Sequence, residues 1–91
     1  MPKAFTATLS GRVQGVMFRD FIQRKATAFS VVGEVENMQD GNVRVYAEGD
    51  AMSLEKLIEH LKQGPILANI ENISIEWIVP RGGYKDFSIH Y

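Results

Sequence analysis

The sequence predicts an α+β domain with one antiparallel sheet and two helices packed on one face of it. Segments in which apolar and polar residues alternate, as in half-buried strands, are interleaved along the chain with two segments of helical period. Their order is strand, helix, strand, strand, helix, strand and a short final strand, and no linker or repeat interrupts it. Because 91 residues suffice for one hydrophobic core, we expect residues 1–91 to form a single domain.

A change of period separates the first strand from the first helix. Phe5, Ala7 and Leu9 alternate with polar residues, which predicts a strand. The glycines at positions 11 and 15 interrupt this alternation. A helix is then predicted from about residue 19 to residue 30 by five apolar residues at helical spacing. These residues are Phe18, Phe21, Ile22, Ala26 and Phe29.

The middle of the chain predicts a hairpin and a second helix. Residues 31–38 have strand character, and residues 43–47 continue as the return strand. The Asp40-Gly41 pair between them is typical of a hairpin turn, since glycine accepts a positive φ. Asp50 is suited to cap a second helix, which Gly64-Pro65 ends.

Two further alternating segments complete the pattern, at residues 70–79 and 87–91. One antiparallel sheet with both helices on one face buries both helical stripes, and this is the split βαβ, ferredoxin-like plan. Trp77 and the phenylalanines are expected in the core. Unrelated functions share this plan, so the fold alone does not predict the activity.

Composition excludes several functions. The chain has no cysteine, which removes disulfides, thiolate metal sites and a cysteine nucleophile, and which suits a reducing compartment. A net charge of −1 disfavours general nucleic-acid binding. No apolar run is long enough to span a membrane, and no spacing of His, Asp and Glu resembles a metal site. We expect a cytoplasmic protein without nucleic-acid or membrane partners.

The charges are unevenly distributed along the chain. Residues 12–25 carry four basic side chains against Asp20, a net charge of +3, whereas residues 34–59 carry seven acidic side chains against two basic ones, a net charge of −5. A small anion would be attracted to the first segment and repelled by the second. For charge alone, a solvated surface is the better explanation of such a distribution, and an anion site is the alternative.

The segment between the first strand and the first helix is the candidate functional segment. Such a junction offers unpaired backbone amides and the positive end of a helix dipole, which together bind small anions. Gly15 permits close approach of a ligand to the backbone. Arg19, in the first helical turn, presents a planar set of donors to phosphoryl oxygens. Spacing alone also fits an ordinary strand-to-helix turn.

The run Gly-Arg-Val-Gln-Gly-Val-Met-Phe-Arg at residues 11–19 resembles the signature of the acylphosphatases, small enzymes that hydrolyse carboxyl-phosphate anhydrides. The resemblance continues through Gly33-Glu34-Val35-Glu36-Asn37 and through Asp40-Gly41-Asn42-Val43, and it covers essentially the whole chain. The nine-residue run with an asparagine eighteen positions after its arginine is a specific combination.

The resemblance implies a role for each matching residue. Arg19 matches the phosphate-binding arginine, and Asn37 matches the asparagine that positions the attacking water. The backbone of five residues matches the phosphate cradle: Gln14, Gly15, Val16, Met17 and Phe18. In the family this chemistry needs no metal, no cofactor and no covalent phosphoenzyme. We therefore expect a monomer that acts on a small-molecule acyl phosphate, with inorganic phosphate and sulfate as competing anions.

Three positions depart from the family pattern. Glu34 and Glu36 replace residues that are usually aromatic and basic, but by alternation both face away from Asn37. Met17 replaces a small or aromatic residue at a position that should contribute mainly its backbone amide.

A second class of function also stays open. The chain could be a binding module on the same plan, either an inactive relative or a regulatory or RNA-binding domain, and a related domain occurs at the front of a carbamoyltransferase that matures hydrogenases.

Overall fold

A computed structural model describes residues 2–90. It contains five strands and two helices, which are close to the predicted segments. The elements in chain order are β1 (Lys3–Arg12), α1 (Phe18–Ala28), β2 (Val32–Asn37), β3 (Val43–Gly49), α2 (Ala51–Gln63), β4 (Asn69–Ile78) and β5 (Phe87–His90). The predicted end of the last strand at Tyr91 lies outside the described residues.

The strands form one sheet in the order β4-β1-β3-β2-β5. The first four strands pair antiparallel, as predicted for the sheet. The last strand differs, because β5 runs parallel to β2 and pairs Gly33 with Phe87 and Val35 with Ile89. The sheet is therefore mixed, and the expectation of a wholly antiparallel sheet is corrected at this edge. Periodicity identifies β5 as a strand but contains no information on the direction in which it pairs.

The core lies between the sheet and the two helices. Phe5, Ala7 and Leu9 of β1 are buried, and they lie on the same face as Val43 and Val45 of β3. The apolar stripes of the helices cover this face with six fully buried side chains. These are Phe18, Ile22 and Ala26 from α1, and Leu54, Leu57 and Leu61 from α2.

The second helix has the ends that the sequence predicts. The Asp50 carboxylate accepts a hydrogen bond of 3.0 Å from the backbone amide of Ser53, which confirms the predicted N-cap. Hydrogen bonds from Ser53 lower the pKa of the Asp50 carboxyl group. Gly64 ends the helix with a φ of 66°.

The expectation that Trp77 lies in the core is only partly correct. Its ring contacts Phe5 edge-on at 5.5 Å, but the side chain is half-exposed because β4 is an edge strand.

Residues 79–86, which we call the strap, connect the edge strands β4 and β5 and dock on the side chain of Tyr46. The hydroxyl group of Tyr46 accepts a hydrogen bond of 2.8 Å from the amide of Arg81 and donates one of 2.7 Å to Glu48. The Arg81 guanidinium lies 4.3 Å from the centre of the Tyr46 ring, and the Tyr84 ring lies 5.0 Å away. Burial raises the pKa of the Tyr46 phenol, so at neutral pH it stays protonated and donates to Glu48.

The docking of the strap can be tested with Tyr46→Phe. The substitution leaves the Arg81 amide and the Glu48 carboxylate without this partner, and we expect the free energy of unfolding to fall by about 1–2 kcal/mol. Trypsin should also cleave the strap faster after Arg81 or Lys85. Tyr84→Phe is the matched control, because the hydroxyl of Tyr84 makes only a long hydrogen bond of 3.4 Å to Glu34. Equal cleavage of the two variants would contradict the assignment of Tyr46 as the docking point.

Candidate active site

The loop between β1 and α1 leaves the sheet at a bulge. The register of β1 with β4 shifts between Ser10 and Gly11, where φ is 116° and a Cβ atom would overlap the carbonyl oxygen of Asn69. Glycine is therefore required at this position. Beyond it, Val13 and Val16 are buried in the core and anchor the loop, whereas Gly15 and Met17 face outward.

Residues 14–18, which we call the cradle loop, have backbone amides that bond to no described residue. Among residues 2–90, no carbonyl or side-chain group accepts a hydrogen bond from these amides. Gly15 has a φ of 74° and Met17 a φ of 61°, while Val16 between them does not have a positive φ. Alternation of this kind turns successive N–H groups towards one concavity. Met17 is also the N-cap of α1 and makes no side-chain cap, so the first helical amides stay available to a ligand.

Arg19 lies in the first turn of α1 beside the cradle loop. Its guanidinium donates a hydrogen bond of 3.1 Å to the carbonyl oxygen of His90, at the end of β5. The last strand therefore helps to hold this cation, although 71 positions separate the two residues in the chain. This contact could not be predicted from the sequence, because periodicity identifies strands but not the long-range partners of a side chain.

Asn37 is the last residue of β2, at the same end of the sheet as the cradle loop. Its side-chain oxygen Oδ1 is inaccessible to solvent and accepts no hydrogen bond from any of residues 2–90. A buried carbonyl oxygen of this kind nearly always has a partner, and leaving it without one costs about 1–3 kcal/mol. The orphaned oxygen therefore indicates a site for a hydrogen-bond donor.

The side chain of Gln14 joins the cradle loop to the β2–β3 hairpin. Its amide nitrogen Nε2 donates hydrogen bonds of 2.8 Å to the carbonyl oxygen of Met38 and of 2.9 Å to that of Asn42. These acceptors flank the turn that follows Asn37. The sequence predicts a role only for the backbone of Gln14, because no local sequence signal indicates a side-chain contact over this distance along the chain.

Arg19 and Asn37 line one cleft of about 420 Å³. Of the predicted cradle residues, three line the same cleft: Gly15, Met17 and Phe18. Gln14 and Val16 do not line it, because the side chain of Gln14 reaches the hairpin and that of Val16 is buried.

The acidic side chains near the cleft either pair with a basic side chain or lie on the other face of the sheet. Asp20 also lines the cleft and pairs with Arg24 at 3.0 Å. The carboxylates of Glu34 and Glu36 lie on the opposite face of the sheet, as the alternation predicted. There Glu34 lies 3.2 Å from the imidazole Nε2 of His90. The cleft is thus suited to a small anion, which Arg19 and the loop amides would bind beside Asn37.

Residues 2–90 contain neither a group of metal ligands nor a membrane-spanning helix. None of the clusters of His, Asp and Glu in this range has the three members that could hold a metal ion. Neither helix has the length and hydropathy that crossing a lipid bilayer requires.

Comparison with known proteins identifies the family. The family model of the acylphosphatases matches residues 5–89. An acylphosphatase of Thermus thermophilus is 43% identical over 90 residues, which are 99% of this chain and 100% of that protein. The chain therefore belongs to the acylphosphatase family, as the resemblance predicted.

Solved structures agree with this identification. The crystal structure of acylphosphatase from Bacillus subtilis superimposes with a TM-score of 0.94 at 35% identity and covers 100% of both chains. Full-length HypF in its phosphate- and nucleotide-bound form matches 100% of this chain with a TM-score of 0.93 at 29% identity, but the match covers only 12% of HypF. The predicted α+β, ferredoxin-like fold is confirmed by these neighbours.

The role of the Gln14 side chain can be tested with Gln14→Ala. Loss of its two hydrogen bonds should lower the free energy of unfolding by about 1–2 kcal/mol. Because the cradle loop and Asn37 would no longer be held together, we also expect kcat for an acyl phosphate to fall by about tenfold or more. Gln23→Ala is the matched control, since Gln23 donates one hydrogen bond of 3.1 Å to Phe87 outside the cleft. That variant should lose stability and retain kcat. A similar loss of kcat in both variants would refute a specific role for Gln14.

Proposed function

We propose that this protein hydrolyses acyl phosphates to a carboxylate and inorganic phosphate through water held by Asn37 and a phosphoryl group held by Arg19 and the cradle loop. The observation that carries the mechanism is that Asn37, whose buried Oδ1 accepts no hydrogen bond from residues 2–90, lines the same cleft as Arg19. An anion-binding module has no need of such an acceptor. A hydrolase needs one, because the attacking water must be oriented.

The reaction is a displacement at phosphorus. The oxygen of the water forms a bond to phosphorus while the bond from phosphorus to the acyl oxygen breaks, and that electron pair leaves on the carboxylate. One proton of the water passes to an oxygen of the phosphoryl group, so the products are the carboxylate and dihydrogen phosphate. An amide is too weak a base to remove this proton, so Asn37 orients the water by accepting a hydrogen bond from it.

The protein supplies positioning and positive charge. A carboxylate is a good leaving group, so little acid catalysis is required. Charge on the equatorial oxygens is stabilised by the Arg19 guanidinium and by the amides of the cradle loop, which are fixed before the substrate binds. Because these groups provide the charge, we propose that the reaction needs neither a metal ion nor a cofactor.

We further propose a monomeric enzyme of the cytoplasm that acts on a free small-molecule acyl phosphate. The absence of cysteine from the sequence fits a reducing compartment. The net charge of −1 disfavours a polyanionic partner.

Binding of inorganic phosphate tests the position of the anion site. If the cradle loop and Arg19 bind the phosphoryl group, phosphate and sulfate should inhibit competitively in excess chelator. Both anions should also raise Tm, by an amount that grows with concentration, because a ligand that binds only the folded state stabilises it. Purely non-competitive inhibition without thermal protection would place the site elsewhere.

Two substitutions separate the proposed roles. Arg19→Ala removes a charged donor from the bound and the reacting phosphoryl group, so KM should rise and kcat should fall by about 10²-fold or more. Asn37→Ala removes the group that holds water, so kcat should collapse while inorganic phosphate still protects the fold against heat.

Controls for these variants are available within the chain. Asn42→Ala alters a half-buried asparagine of the same hairpin, whose side chain bonds to Asp40 and does not line the cleft, and it should retain activity. Arg19→Lys keeps the charge but loses the planar set of donors, so it should recover activity only in part. Circular dichroism must show that each variant is folded. Asn37 would be a phosphate ligand, contrary to the proposal, if Asn37→Ala lost phosphate affinity as completely as Arg19→Ala.

A further inference from the structure

A second depression lies beside the cradle loop, and we call it the acyl groove. It has a volume of about 300 Å³ and is lined by Gly15, Val16, Met17, Arg24 and the turn Pro65–Leu67. Three of its apolar side chains are strongly exposed: Met17 at 72%, Ile66 at 99% and Leu67 at 65%. Contiguous exposed apolar side chains beside a polar site are typical of ligand-binding surfaces.

The sheet topology places the acyl groove and Asn37 on opposite sides of the cradle loop. The cradle loop follows β1, and Asn37 ends β2, two positions along the sheet in the direction of β3. The turn Pro65–Leu67 leads into β4, which borders β1 on its other side and pairs Arg12 with Asn69. The cleft and the groove share only Gly15 and Met17, so the loop lies between the water side and the turn.

Displacement at phosphorus requires the attacking and leaving oxygens to be roughly in line. With the water at Asn37 and the phosphoryl group at the cradle loop, the leaving carboxylate must point away from Asn37. We infer that the acyl group of the substrate lies in the acyl groove, and that Ile66, Leu67 and Met17 select acyl phosphates with an uncharged, apolar acyl group. This inference rests on the proposed function and names its substrate class.

The charges at the groove agree with an uncharged acyl group. Its one charged lining residue is Arg24, whose guanidinium bonds to the Asp20 carboxylate at 3.0 Å. Arg24 therefore has a partner of opposite charge already, and a second carboxylate on the acyl group would have to compete with Asp20 for it. The apolar side chains, by contrast, gain free energy from any methylene that they shield from water.

The backbone of the turn is fixed without the side chains that form the groove. The amide of Gly64 donates to the carbonyl oxygen of His60 at 2.9 Å, and the amide of Ala68 donates to that of Pro65 at 3.0 Å. Ile66 and Leu67 are exposed and belong to no part of the core. Substitution of both by serine should therefore leave the fold and the phosphate site intact.

The test compares acyl phosphates of different chain length on the wild-type protein and on Ile66→Ser/Leu67→Ser. The probes are acetyl, butyryl and hexanoyl phosphate, together with adipoyl phosphate, which has six carbons like hexanoyl phosphate but ends in a carboxylate. We expect kcat/KM of the wild type to rise about two- to fourfold for each methylene that contacts the groove. In the double variant the preference for hexanoyl over acetyl phosphate should shrink by about tenfold, while inorganic phosphate still raises Tm as it does in the wild type. Val79→Ser is the matched control, since Val79 is 84% exposed and follows the opposite end of β4.

The outcomes distinguish this inference from the proposed function. No turnover of acetyl phosphate by the wild type would overturn the proposed function itself. Turnover of acetyl phosphate with no dependence on chain length, or an equal dependence in the double variant, would overturn the acyl groove alone. A preference for adipoyl over hexanoyl phosphate would show that Arg24 selects an anionic acyl group, and it would overturn the assignment to apolar substrates.

Discussion

The site depends on the way in which the cradle loop is held in place. Side chains at the loop are buried or hydrogen-bonded and fix its path, whereas its backbone amides stay available to a ligand. Val13 and Val16 fix the path of the chain by burial, and the side chain of Gln14 fixes its distance from the hairpin. Because none of these anchors uses the amides of residues 14–18, the amides stay available without any rearrangement of the loop. Donors fixed in advance need no reorganisation when charge develops, which is the main source of catalysis in a reaction with a good leaving group.

The fold brings the remaining groups to the same place. The strands β1 and β2 run in the same direction because each is antiparallel to β3, so the loop after β1 and the asparagine that ends β2 meet at one end of the sheet. The parallel pairing of β5 with β2 then directs the carbonyl of His90 towards Arg19. The groups that take part in the proposed mechanism are thus positioned by elements whose direction the core determines. The negative charges of Glu34 and Glu36 are carried on the other face of the sheet, where they do not oppose an anionic substrate.

Much of this arrangement is local in the sequence and could be predicted from it. The periods of the strands and helices, the Asp50 cap and the outward direction of Glu34 and Glu36 follow from short segments, and the signature run around Arg19 identified the family. The features that escaped prediction are contacts between distant parts of the chain. They include the bonds of Gln14 to the hairpin, the bond of Arg19 to His90, the direction of β5 and the exposure of Trp77 at a sheet edge. The orphaned oxygen of Asn37 is of the same kind, because a missing partner depends on everything packed around the atom.

We propose that water attacks phosphorus and not the acyl carbon, because the cradle loop and Arg19 are the groups assigned to the phosphoryl part of the substrate. Hydrolysis of acetyl phosphate by the purified protein in ¹⁸O-labelled water, in excess chelator, tests this claim directly. Mass spectrometry of both products at partial conversion shows where the label enters. We expect one atom of ¹⁸O to enter the inorganic phosphate and the acetate to stay unlabelled. Label in the acetate would show attack at the carbonyl carbon and would contradict the roles given to Arg19, Asn37 and the cradle loop.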